Sequence, residues 1–218
     1  MANYNAPMGM TPVSHINGGD WNGKTNRYFI AASDMNAFYI GDVVVSAPGA
    51  GDGMVNGQIV VGVPQVTKAG VGAAARGVIV SVEQDQNGNG QRYVPATKTR
   101  GYFVNVADDP LLIFQIQVSN SSLLTATCVG EFGDLLVAAS ASGQGVSGTR
   151  LDSTTIGTTT GPLRILGLAL GDFTANAQVL VCFVWHELAG QSSPIILSSA
   201  APVNADGRPD GTIYIQTV

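Results

Sequence analysis

Short β-branched and apolar runs recur along this chain, each closed after roughly ten residues or fewer by Gly, Asn, Asp or Pro, and that punctuation dictates an all-β fold. Strands are expected near 42–47, 58–63, 77–83, 102–106, 112–118, 123–129, 134–139, 163–170, 178–188, 195–198 and 212–216. No amphipathic stretch of helical period exceeds about three turns. The best helix start is Ser33, whose hydroxyl would cap a short turn over Asp34, Met35, Asn36, Ala37 and Phe38.

Alternation separates two kinds of strand. Leu112, Phe114, Ile116 and Val118 share one face and Gln115 and Gln117 the other, the pattern of a sheet with one buried side. In 178–188, Val179, Val181, Phe183 and Trp185 lie opposite Leu180, Cys182 and Val184, so both faces of that strand are expected to be covered.

The punctuation divides the chain into four regions. Residues 1–36, rich in Asn, Gly, Met and Pro with little strand pattern before Tyr28, read as an extended N-terminal arm; 37–107 and 108–190 read as two β units. Residues 191–218 read as a Ser/Ala/Pro linker and a terminal strand containing Tyr214 and Ile215. The expected architecture is one or two small β-barrel or β-sandwich units with extended N- and C-terminal arms. Both units carry a Gly-Asp strand opening (Gly41-Asp42 and Gly133-Asp134) and, further on, a Gly-containing apolar strand. Two related small barrels would give that recurrence, and so would independent turns of the same chemistry.

Composition narrows the function. Only 11% of the 218 residues are charged, against about 25% in a typical soluble domain, while 45% are apolar and 28 are glycine. A surface so poor in charge stays dispersed most simply by being buried against other protein. The net charge of −5 and the lack of any Lys/Arg run remove the electrostatic basis of nucleic-acid binding. The longest apolar stretch, 179–185, is too short to span a bilayer. With neither a basic n-region nor an apolar h-region at the N-terminus, no secretory leader is expected, so the chain is expected to be made in the cytoplasm. Cys128 and Cys182 lie in apolar runs and are expected to be buried free thiols. Asn120-Ser121-Ser122 matches a glycosylation acceptor and, without secretion, reads as a polar turn.

Chemistry-bearing motifs are few. Asp85, Asn87 and Asn89 with Gly88 and Gly90 resemble the first half of a calcium loop, but Ala96 stands where the closing bidentate Glu is needed; an Asn-Gly turn between strands accounts for the same residues. His15 lies in the arm and His186 in an apolar strand beside Glu187, neither placed as a general base. Asp108 and Asp109, adjacent in extended chain, should point apart and open a turn at Pro110. No nucleophile elbow, zinc-protease or Walker motif occurs. The expectation is a protein that is not an enzyme and needs no cofactor. Trp21, flanked by Gly18, Gly19 and Gly23, reads either as a sugar-stacking residue or as an anchor docking the arm on a neighbour.

Between Gly101 and Leu188, a series of motifs runs from Asp109-Pro110 and Phe114-Gln115-Ile116-Gln117 through Val129-Gly130, Gly145-Val146-Ser147-Gly148 and Leu151-Asp152-Ser153-Thr154. It continues with Pro162-Leu163-Arg164-Ile165-Leu166-Gly167-Leu168, Val179-Leu180-Val181 and His186-Glu187-Leu188. This series resembles the head decoration, or cement, proteins of tailed bacteriophages. The resemblance implies a non-enzymatic virion protein on the capsid exterior whose partners are the major capsid protein and further copies of itself, as a homotrimer or a dimer. His15, Trp21, Tyr28, Phe29, Tyr214 and Ile215 are the expected contact residues. The segment Gly207-Arg208-Pro209-Asp210-Gly211-Thr212-Ile213-Tyr214-Ile215 is similar to a strand near the trimeric ends of phage fibres, which keeps a glycan-binding fibre or adhesin subunit as the alternative.

Overall fold

The computed structural model describes residues 3–55, 58–83, 92–119, 124–140, 145–157, 160–189, 195–198 and 213–216. The described fold is all-β. The strands are β1 (Thr11–His15), β2 (Asn26–Ile30), β3 (Phe38–Tyr39), β4 (Val43–Val55), β5 (Gln58–Lys68), β6 (Gly77–Val82), β7 (Tyr93–Val94) and β8 (Tyr102–Ala107). They continue with β9 (Leu112–Gln117), β10 (Phe132–Gly133), β11 (Leu135–Leu136), β12 (Arg150–Leu151), β13 (Leu163–Leu170), β14 (Gln178–Phe183), β15 (Ile195–Ser198) and β16 (Ile213–Gln216).

Five strands close a barrel in the order β2-β5-β4-β6-β8, and five others form an open sheet in the order β1-β9-β14-β13-β10. One closed barrel and one open sheet therefore stand where the repeated Gly-Asp openings allowed two barrels. Alternation along the barrel strands serves both bodies. Val44, Ile79 and Val106 point into the barrel beside Tyr28, Ile30, Phe38, Val66 and Val104. Their neighbours Val43, Val78 and Ala107 point outward onto a second core built from Leu112, Phe114, Ile116, Ile165, Val179 and Val181 of the sheet. Strands apolar on both faces are what such a shared wall requires.

The segment expected to be an extended arm pairs with both halves of this body. β1 pairs antiparallel with β9, Thr11 opposite Gln115 and His15 opposite Leu112. β2 pairs with β8 from Asn26 opposite Val106 to Ile30 opposite Tyr102. Residues 1–36 thus give one strand to each half, and their Asn/Gly content marks the connection around 16–24. Nearer the terminus, the Asn3 side-chain amide donates to the carbonyls of Asp172 and Ala175 and to the Thr174 hydroxyl.

Other expectations are corrected. The helix at Ser33 does not form; the Asp34 carboxylate instead accepts the Asn36 amide at 2.8 Å and the Thr67 hydroxyl at 2.7 Å, side-chain bonds that compete with a helical turn. In 123–129 the described residues hold a single 3₁₀ turn, Ala126–Cys128, not a strand. Only Leu124 there is fully buried, and the Thr125 and Thr127 hydroxyls bond each other at 2.7 Å. The strand expected over 134–139 shrinks to β11, and that over 178–188 ends at Phe183, where Val184 turns to donate to the Pro162 carbonyl. β14 is buried through Val179, Val181 and Phe183 on one face and through Cys182 on the other, with Leu180 half-buried.

Residues Leu188–Val218 are a separate unit. Its described elements, β15 and β16, pair in parallel, Ile195 opposite Ile213 and Ser198 opposite Gln216.

Candidate functional site

Three polar clusters, each built on a carboxylate, tie the barrel and its loops to residues between 134 and 187. Asp42, fully buried, accepts the Lys68 ammonium at 2.9 Å and the Tyr39 amide at 2.9 Å on one oxygen; its other oxygen accepts the Ser147 hydroxyl at 2.5 Å. Asp134 makes the reverse connection, accepting the Gly72 amide at 3.0 Å. Glu187 accepts the Ser46 amide at 2.9 Å and also its hydroxyl.

A fourth cluster lies at the barrel's end. Asp108 accepts the Tyr28 hydroxyl at 2.5 Å and the Asn26 amide at 2.9 and 3.0 Å, while Arg76 donates to the same Tyr28 oxygen at 2.8 Å. Burial, reinforced by the hydrogen bond to Asp108, pushes the Tyr28 pKa up to about 12. Asp109 faces elsewhere, its oxygens meeting the Leu111 amide at 2.9 Å and His15 Nδ1 at 3.6 Å. The adjacent carboxylates diverge, so no acid/base pair forms between them.

The expected contact residues divide sharply. His15 Nδ1 lies 3.6 Å from an Asp109 oxygen, and Trp21 packs on the sheet's core while its indole N–H donates to the Lys24 carbonyl at 3.3 Å. Tyr28 is buried with its hydroxyl engaged on both sides, which removes it from any outer contact surface. Phe29 lies 5.4 Å from the Phe103 ring and over Gly51 and Gly101, where an added Cβ would fall 1.9 and 2.1 Å from its ring atoms. Of these four only Tyr28 is buried; His15, Trp21 and Phe29 are half-buried. Tyr214 and Ile215 sit on β16 opposite Ile196 and Leu197. The calcium-like loop with Asp85, Asn87 and Asn89, and the Asn120 acceptor, lie outside the described residues. Among the described residues, no group of three or more His, Cys, Asp or Glu is placed to hold a metal ion. No helix among them is long and apolar enough to cross a membrane.

The surface best suited to binding was read in the sequence only as an ordinary strand. β4 pairs with β6 through Val43 and Val44 alone, yet continues alongside β5 to Val55. The distal part of this hairpin carries Ile59 and Val61, 78% and 71% exposed. Asp52, its one ionisable residue, accepts the hairpin's own Gly62 amide at 2.7 Å. The available signal was Ile59-Val60-Val61 set among Gly49, Gly51, Gly53, Gly57 and Gly62 with a single charge nearby. Chemically the distal hairpin offers a β-branched contact surface with a single carboxylate, Asp52, beside it. Comparison with protein-family models, with curated proteins and with solved structures gave no match for this chain.

Proposed function

We propose that this chain is a structural virion protein of a tailed bacteriophage, one that binds the outer surface of the capsid and cements adjacent capsomers without catalysis. The observation that carries the reading is the exposed apolar end of the β4–β5 hairpin, on a chain with 11% charged residues. The motif resemblance between Gly101 and Leu188 points the same way.

Magnitudes shape the mechanism. Burying Ile59 and Val61 contributes about 1.5–3 kcal/mol each, whereas association costs about 4–15 kcal/mol in lost freedom. One hairpin on one copy is therefore insufficient. Attachment through several copies, as a homotrimer or a dimer, turns later contacts into intramolecular events and raises avidity.

The test is genetic and mechanical. Virions of the encoding phage should contain the chain in many copies, and particles grown without it should lose infectivity on heating or osmotic shock sooner than wild type. Particles lacking the chain that withstand shock equally well count against cementing. Failure of such particles to adsorb to host cells, with heads intact, would favour the glycan-binding fibre instead.

A further inference from the structure

The segment that follows β14 is a strap. Trp185 accepts the Ala75 amide at 3.0 Å through its carbonyl, Glu187 returns its amide to the Ala75 carbonyl at 2.9 Å, and the Glu187 carboxylate holds Ser46. Between Trp185 and Glu187 sits His186, buried, its ring edge-on to Phe183 with centroids 5.9 Å apart. Ala75 belongs to the barrel half and β14 to the sheet, so this strap closes one seam between them. It ends where the second unit begins, at Leu188.

We propose that the strap is acid-operated: protonation of His186 opens the 185–187 segment from Ala75 and Ser46 while the barrel and sheet stay folded. A neutral imidazole suits the packing against Phe183, and an imidazolium there is a buried charge. The charged groups that act on it are Arg76 on the barrel side, Asp108 and Asp109 from the turn into β9, and Glu187 on the strap itself. Tyr28 and Asp108 already engage each other, Arg76 donates to Tyr28, and Asn26 also holds Asp108. Asp108 thus already accepts hydrogen bonds on both of its oxygens. Burial, with Arg76 adding to it, lowers the His186 pKa from its ordinary 6.5 despite Asp108, Glu187 and Asp109.

The sign follows. His186 in the open strap titrates near its ordinary value and in the closed strap lower, so closure is favoured above that value and weakens as pH falls below it. Between the two values the opening equilibrium rises by up to about tenfold per pH unit. The experiment is amide hydrogen exchange of the purified full chain at about pH 7 and about pH 5, corrected for intrinsic rates, reading the Ser46, Ala75 and Glu187 amides against those of β8 and β9. The proposal expects the three strap amides to lose protection several-fold at the lower pH with β8 and β9 unchanged. His186→Asn should remove that pH dependence, and Glu187→Gln should retain it. Equal loss in the His186→Asn protein, loss shared by β8 and β9, or no loss at all would overturn it.

Discussion

Ser147 donates its hydroxyl to the buried carboxylate of Asp42 at 2.5 Å, joining the loop between β11 and β12 to the residue that opens the barrel's longest strand. The same carboxylate holds Lys68, which also donates to the Ala37 carbonyl at 3.0 Å. Asp42→Ala should therefore strand a largely buried ammonium as well as free Ser147, at a cost of about 3–5 kcal/mol. Urea unfolding of the two proteins measures it, and a loss below about 1 kcal/mol would mean that water replaces the carboxylate.

Gly41, just before Asp42, has φ +91°, and an added Cβ would lie 2.5 Å from the Met8 carbonyl oxygen. Gly18 has a similar φ of +92° with open space around it. Gly18→Ala should cost about 1–2 kcal/mol for the left-handed backbone alone. Gly41→Ala should cost clearly more, because the N-terminal segment must also move. Equal thermal midpoints for the two variants would contradict the close packing of residues 8–10 on the barrel.

Tyr28 predicts an alkaline limit. Its pKa is raised in the folded chain to about 12 from 10.0, so the stability it contributes is fully present below about pH 10 and is lost as pH rises through the folded value. Thermal midpoints of wild type should fall more steeply over that range than those of Tyr28→Phe. Parallel curves would place the alkaline limit elsewhere.

The two thiols should differ in reactivity. Cys182 is buried on β14 and burial raises its pKa, while Cys128 is half-buried in the 3₁₀ turn with its sulfur 3.7 Å from the Thr125 hydroxyl. Alkylation followed by mass spectrometry should label Cys128 well before Cys182 in the folded chain. Simultaneous labelling would show that β14 opens readily.

Most strands were legible in the sequence because their period-two patterns are local, as in Leu112, Phe114 and Ile116. The integration of residues 3–30 was not. β1 is stabilised by β9, about a hundred residues on in the chain, a pairing that no local pattern in Thr-Pro-Val-Ser-His announces. Tyr28 looked like a contact residue because an aromatic in an Asn-rich segment carries no sign of Asp108 and Arg76 waiting to receive it. At 123–129 the opposite happened: β-branched residues imitated a strand, but their hydroxyls found partners within the turn. The hairpin was legible only in part, as strands over 42–47 and 58–63, and not as a projection, since where β4 leaves β6 depends on Gly77 and Val78 being its last partners.

Co-sedimentation measures capsid binding itself. Capsids of the encoding phage, prepared without this chain, would be mixed with wild-type protein and with the doubly substituted Ile59→Ser, Val61→Ser protein, whose barrel and sheet cores are untouched. The account predicts saturable wild-type binding in a fixed ratio to the major capsid protein. It predicts at least about tenfold weaker binding by the substituted chain, given the apolar burial it forfeits. Wild-type protein that stays in the supernatant at every concentration would contradict the account.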